Sequence, residues 1–124
     1  MIENPKEATG RRKVPLQMNP PIASHYQALA QQHGADKYGP WNWREAGIQL
    51  MTYVGAVKRH ADAIIDGEWF DPDSGLPHFA HIMAGSAVAI DAWHGGMVND
   101  DTPGRCLNAV KAGDAWVVPC GRDS

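Results

Sequence analysis

The sequence predicts an all-α domain: a helical bundle of three main helices, with an irregular N-terminal arm and a C-terminal tail. Three observations predict it. Apolar residues recur with a helical period in three segments, residues 22–33, 44–66 and 77–94. Each segment runs into glycine, at Gly34, at Gly67 and at the pair Gly95-Gly96, the residue type that most often stops a helix. Strand-like character is confined to Ala115-Trp-Val-Val-Pro near the C-terminus.

Taken in order, residues 1–21 hold Pro5, Gly10, Pro15, Pro20 and Pro21 with the basic cluster Arg11 to Lys13, which predicts an irregular arm. Helix one runs from Ile22 to His33 on Ile22, Tyr26, Leu29 and Ala30, and Pro21 suits its first turn. Helix two runs from Arg44 to Asp66. Its stripe is Leu50, Val54, Val57, Ala61, Ile64 and Ile65, opposite Lys58, Asp62 and Asp66. Helix three runs from near Pro77 to His94, with Phe79, Ile82, Met83, Ile90 and Trp93 as its main apolar face. Its small residues, among them Ala80, Ala84 and Gly85, allow close helix approach within the chain or between chains. The domain therefore spans 22–96, and the tail, 97–124, is expected to form a short helix and a strand-like arm at a subunit interface. A chain of 124 residues makes a thin bundle, so a homodimer or homotetramer is expected.

Composition narrows the class. Apolar residues make up 44% and charged residues 20%, as in ordinary globular proteins. A net charge of −3 leaves no basic footprint for polymeric nucleic acid. The basic residues gather at Arg11 to Lys13, at Lys37 and Arg44, and at Lys58 and Arg59, which suits a small anion. Cys106 and Cys120 have neither CxxC spacing nor a neighbouring His, so a zinc ribbon or redox pair is not expected. No apolar run reaches the roughly 18 residues needed to span a membrane, and the first residues do not form a signal peptide. The expectation is a cytoplasmic protein with no membrane partner.

The chemistry concentrates in Gly67 to His81, Gly-Glu-Trp-Phe-Asp-Pro-Asp-Ser-Gly-Leu-Pro-His-Phe-Ala-His. Three carboxylates (Glu68, Asp71, Asp73) lie here with Ser74, His78 and His81, and carboxylates this close repel unless a cation lies between them. Acid-rich character suits Mg²⁺ or Mn²⁺, and a phosphate-bearing substrate would complete the coordination. His78 and His81, three apart on one helical turn, with a carboxylate also make a zinc hydrolase set, although the spacing is not HExxH. The plain alternative is a turn, Asp71-Pro-Asp-Ser-Gly, with Asp73 or Ser74 capping helix three. For Asp71 alone the turn is the better reading; for Glu68, Asp73, His78 and His81 together, function is. His60, at the border of the helix-two stripe, and Arg59 are ordinary helix residues apart from facing the same end as this loop. A second cluster, Ala35 to Glu45, offers Trp41, Trp43, Asn42, Lys37 and Arg44 in a turn held by Gly39 and Pro40. Flat rings beside cationic groups can hold a purine by stacking and a phosphate by charge. Taken one at a time, the two Trp read as staples, Asn42 as a cap and Lys37 as a solvated charge.

Three blocks then carry a resemblance: His33-Gly-Ala-Asp-Lys-Tyr-Gly-Pro-Trp-Asn-Trp-Arg, Arg59-His60, and Gly67-Glu through Asp71-Pro-Asp-Ser-Gly-Leu-Pro-His-Phe-Ala-His81. In that order, across residues 22 to 93, the chain resembles the phage dATP/dGTP diphosphohydrolases (MazZ), relatives of the all-α MazG-like nucleotide pyrophosphohydrolases. The resemblance implies hydrolysis of dGTP or dATP between the α and β phosphates with Mg²⁺ or Mn²⁺, in phages that use 2-aminoadenine. The wider group carries its metal on a Glu-rich helix motif and a Glu-x-x-Asp, whereas the counterparts here read Ala-Val-Lys-Arg-His and His78-x-x-His81. The expected metal set is accordingly Glu68, Asp71, Asp73, His78, His81 and His60, with Glu68, Asp73 and His78 catalytic. Lys37, Arg44 and Arg59 are expected on the phosphates, and Asn42, Trp41 and Trp43 on the base. Glu45 is set aside because helical rise places it too far from His60. The competing readings are a non-catalytic nucleotide-binding or phage interaction protein with a structural ion, and the zinc hydrolase.

Overall fold

Proline and glycine set most of the element boundaries, though not always where the periodicity predicts. The computed structural model describes residues 2–103 and the backbone of 110–112 and 115–117; Cys106, Cys120 and the rest of the tail lie outside the described residues. The arm expected to be irregular contains a helix, α1 (Pro5–Arg11), followed by a single 3-10 turn, Leu16–Met18. Pro5 sits at the first helical position and Asn4 accepts a hydrogen bond from the Lys6 N–H at 2.9 Å, so the local signals for a helix start outweigh the breakers.

The next helix, α2 (Pro21–Tyr38), passes through Gly34, where helix one was expected to end. A mid-helix glycine costs only about 1 kcal/mol relative to alanine and does not forbid the helix. The stop comes instead at Gly39, in a positive-φ conformation (φ 89°) directly before Pro40.

The expected helix two is two helices. A short α3 (Asn42–Ala46) ends at Gly47, β1 (Ile48–Gln49) follows, and α4 (Leu50–Ile65) completes the segment. The break is enforced from far along the chain. Strand β1 pairs in parallel with β2 (Val98–Asn99), Ile48 opposite Val98, and the Ile48 N–H donates to the Met97 carbonyl at 2.9 Å. Asp101 caps α4 by accepting from the Met51 N–H at 2.8 Å, satisfying a donor that the helix cannot satisfy itself. Residues 98–101, placed in the tail by the sequence, thus brace the domain. Further on, β3 (Val110–Ala112) and β4 (Ala115–Val117) pair antiparallel, in line with the strand-like part of the expected arm.

Helix α5 (His78–His94) is the centre, packed against α2 and against α4. Its buried apolar face is Ala80, Ala84, Val88 and Ala92, one residue in every four. Ala80 and Ala84 meet Ala30 of α2; Val88 and Ala92 meet Ile48, with Trp43, Tyr53 and Met97 closing over them. Of the five large side chains expected to form the main face, three are on the outside, Phe79 at 49% exposure, Ile90 at 63% and Trp93 at 61%, while Ile82 and Met83 are half-buried. Small residues win the inner face because the helices approach too closely for large ones. The all-α expectation holds, and among the described residues no helix is long and apolar enough to cross a membrane.

Gly47 has φ 73° and ψ −179°, a region essentially restricted to glycine, and an added Cβ would lie 2.9 Å from the Met97 carbonyl oxygen. Gly47→Ala should therefore cost about 1–3 kcal/mol. Urea unfolding followed by circular dichroism is expected to show a lower midpoint with an unchanged slope.

Candidate functional site

Residues 67–77 fold back between α4 and α5, and Asp71 is the pivot of that turn. Its N–H donates to the Leu76 carbonyl at 2.8 Å, its carbonyl accepts from Gly75 at 2.7 Å, and its Oδ1 accepts from the Asp73 N–H at 2.8 Å. Gly75 supplies the positive φ (74°) that closes the turn. The His78 N–H then donates to the Trp69 carbonyl at 2.9 Å, and α5 begins after Pro77 with no side-chain cap. Neither Asp73 nor Ser74 caps the helix. Ser74 Oγ accepts from the Leu76 N–H and lies 2.6 Å from His81 Nε2.

With the turn so held, the other Asp71 oxygen, Oδ2, lies 3.8 Å from His60 Nδ1 and 3.8 Å from His81 Nε2. His60 of α4 and His78 of α5 meet with their Nδ1 atoms 2.8 Å apart, and His78 Nε2 is 2.7 Å from Glu68 Oε1. The His60 and His81 rings stack, 4.9 Å between centroids and 7° between planes. His78 is buried. One ligand atom each from His60, Asp71 and His78 fall within 4.8 Å of one another, a group able to hold a cation. Burial lowers the proton affinity of His60 and of His81, against the opposing pull of Asp71, so both favour the neutral form that can offer a lone pair.

Asp73 stands apart from this group. It is exposed, and its Oδ2 is gripped by two residues one turn apart on α2, Lys37 Nζ at 2.9 Å and His33 Nε2 at 3.3 Å. The bond from Lys37, then that from His33, holds the Asp73 carboxyl below the usual range, and Asp73 in turn raises Lys37.

The aromatic cluster assembles around a residue the sequence did not single out. Asp91 of α5 accepts from Trp43 Nε1 at 2.7 Å and from Arg44 at 3.0 Å (Nε) and 2.9 Å (Nη2), a bidentate pair. Arg44 also lies over the Trp41 ring, 4.3 Å from its centroid, and Trp41 adopts the left-handed conformation, φ 60°. Arg44, expected on phosphate, is thus engaged by protein groups, and Asn42 opens α3 without capping it. Asp91 left one trace in the sequence, as the single Asp, Glu, Lys or Arg between His78 and His94.

A groove of about 990 Å³ joins the two clusters. Lys37, Asn42, Trp41, Trp43, His60, Asp71, Asp73 and His81 line it, with His33 and Asp91, two residues that carried no assigned role. Four expected site residues do not line it. Glu68 and His78 lie behind His60, Arg44 is turned to Asp91, and Arg59 is exposed on α4. Glu45 is exposed on α3.

The Arg44 and Trp43 bonds hold the Asp91 carboxyl at about 2, down from 3.8. A carboxyl lowered by folding stabilises the native state above the unfolded value, and that contribution disappears as pH falls through the folded one. Stability should therefore drop between pH 3.8 and about 2, and Asp91→Asn should be less stable at neutral pH with a shallower loss across that window. Urea midpoints measured against pH check this.

Comparison with known proteins gives two matches. A family model described as dATP/dGTP diphosphohydrolase, N-terminal, matches residues 3–102. A protein of Salmonella phage PMBT28 named dATP/dGTP diphosphohydrolase is 33% identical over 73 residues, 59% of this chain and 24% of the relative. The chain therefore spans about a quarter of that relative's length. No solved structure matches. The family match runs past the three sequence blocks to include α1, β2 and the Asp101 that caps α4, and on that extent the chain belongs to the dATP/dGTP diphosphohydrolase family, in its N-terminal domain.

Proposed function

We propose that this domain hydrolyses purine deoxynucleoside triphosphates, dGTP and dATP, to the monophosphate and pyrophosphate with the help of Mg²⁺ or Mn²⁺. The observation that carries the reading is one groove with two imidazoles and a carboxylate at ligand spacing near one end and an aromatic, hydrogen-bonding cluster at the other. The name of the phage relative, a dATP/dGTP diphosphohydrolase, supports the same substrate class.

His60, Asp71 and His78 fit a divalent cation. They combine two imidazoles and a carboxylate at ligand spacing, with burial favouring neutral imidazole at His60. A cation bound there would polarise a phosphoryl oxygen and acidify a water. The chain's own groups do the rest. Trp41 and Trp43, whose centroids lie 5.2 Å apart, offer ring faces to the purine, and Asn42 offers an amide that both donates and accepts. Lys37 neutralises charge on the leaving pyrophosphate, and Asp73 with His33 keeps its ammonium at the rim of the groove. Asp73, expected to act as base, is poorly suited because the hydrogen bonds from Lys37 and then from His33 depress its proton affinity. His81 suits the role better. It lines the groove, lies 3.8 Å from Asp71 Oδ2, and is kept neutral by burial. Arg44 and Arg59 have no phosphate role in this arrangement. The exposed Phe79, Ile90 and Trp93 on α5 support assembly as a dimer or tetramer.

Each nucleoside triphosphate incubated with Mg²⁺ or Mn²⁺, and the products chromatographed, should give monophosphate and pyrophosphate from dGTP and dATP. Absence of pyrophosphate at either ion would favour a binding protein, and turnover only with zinc, indifferent to the base, would favour the zinc hydrolase. Asp71→Asn and His81→Ala should each lower turnover by about 10²-fold or more, the scale of losing one preorganised electrostatic or proton-transfer group. Lys37→Ala should weaken binding of the triphosphate and leave binding of the nucleoside nearly unchanged, as calorimetric titration would show.

A further inference from the structure

Building on the reading that this corner holds a divalent cation, we propose that His60, His78 and Asp71 form a three-ligand site that prefers a transition-metal ion such as Mn²⁺ over Mg²⁺, and that Glu68 orients His78 rather than binding the ion. The first part follows from spacing and donor type. Atoms bound side by side on one ion at about 2.1 Å stand roughly 3–3.5 Å apart. The two Nδ1 atoms, at 2.8 Å, and His60 Nδ1 to Asp71 Oδ2, at 3.8 Å, bracket that spacing. Two of the three donors are imidazole nitrogens. Mg²⁺ strongly prefers oxygen and gives up water reluctantly, whereas first-row transition metals gain affinity from nitrogen ligands.

The two nitrogens also need the ion, or a proton, between them. A carboxylate only accepts, so Glu68 at 2.7 Å fixes the proton of His78 on Nε2 and turns the Nδ1 lone pair towards His60. Without an ion, His60 must then donate its Nδ1–H across the 2.8 Å gap; with one, both Nδ1 atoms become ligands.

The same geometry excludes Glu68 from the ligand set. The ring nitrogens of an imidazole point away from each other, so a carboxylate on Nε2 cannot reach an ion on Nδ1. Glu68 has instead the carboxylate–histidine–metal relation that sets ring orientation and tautomer. Asp71 is oriented in a comparable way, since its Oδ1 is occupied by the Asp73 N–H and only Oδ2 is directed to the site.

Metal binding to the full chain without nucleotide tests this. Calorimetric titration should show one Mn²⁺ bound per chain, at least tenfold tighter than Mg²⁺, and Co²⁺ should develop a visible absorption band from nitrogen and oxygen ligands. Asp71→Asn and His60→Ala should each abolish that binding while circular dichroism remains native. Glu68→Gln should keep the shape of the cobalt band and weaken affinity 10–100-fold, the usual effect of losing an orienting partner. Equal affinity for Mg²⁺ and Mn²⁺, binding that survives Asp71→Asn and His60→Ala, or a cobalt band whose shape changes in Glu68→Gln would each overturn the assignment. Pyrophosphate released with Mg²⁺ by a chain that binds no Mn²⁺ here would sink this inference and leave the proposed function standing. Tight Mn²⁺ binding without triphosphate hydrolysis would do the reverse.

Discussion

The close meeting of two imidazoles from different helices governs this domain. His60 and His78 come within 2.8 Å only because α4 and α5 lie close together and because the connection between them doubles back over their junction. Nitrogen lone pairs at that distance repel unless a proton or a cation lies between them. The surroundings make this a polar corner of imidazoles and carboxylates, with Glu68 behind His78, Asp71 in front of His60, and His81 stacked on the His60 ring.

That approach rests in turn on side-chain size. Ala80, Ala84, Val88 and Ala92 present a low ridge to α2 and to the β1 segment, and the alanine at position 30 answers it from α2. A ridge of Phe or Leu would hold the helices further apart. Such a core buries little area per residue, and no large side chain among the described residues is fully buried. Fixed hydrogen bonds therefore matter more than usual here. The β1–β2 pairing, the Asp101 cap and the Asp91 pair each tie segments about 50 residues apart.

Two long-range ion pairs also lie along the groove. Lys37 to Asp73 ties the end of α2 to the loop, and Arg44 to Asp91 ties α3 to the last turns of α5. Both are at the surface, where a single pair contributes at most about 1 kcal/mol. Their effect is on position more than on stability, since they keep the aromatic end and the imidazole end on one continuous wall.

The sequence by itself determined the helical class, the start and end of α5, the density of acids and imidazoles between Gly67 and His81, and the family resemblance. Those features are local: period, turn chemistry and residue type within a few positions. His60 and Asp71 were visible only as secondary members of the set, because a border histidine and a turn aspartate have ordinary local explanations. What tertiary structure decided was every assignment that depends on residues far apart. It broke the second helix at Gly47 through a strand partner 50 positions away, and it put alanines rather than Phe79, Ile90 and Trp93 on the inner face of α5. It also gave Arg44 to Asp91, Asp73 to Lys37, and Glu68 to the far nitrogen of His78. Residue type states what a side chain can bind; which partner it meets is settled by packing, because charge and lone-pair contacts act over a few ångströms and sequence separation carries no such distance.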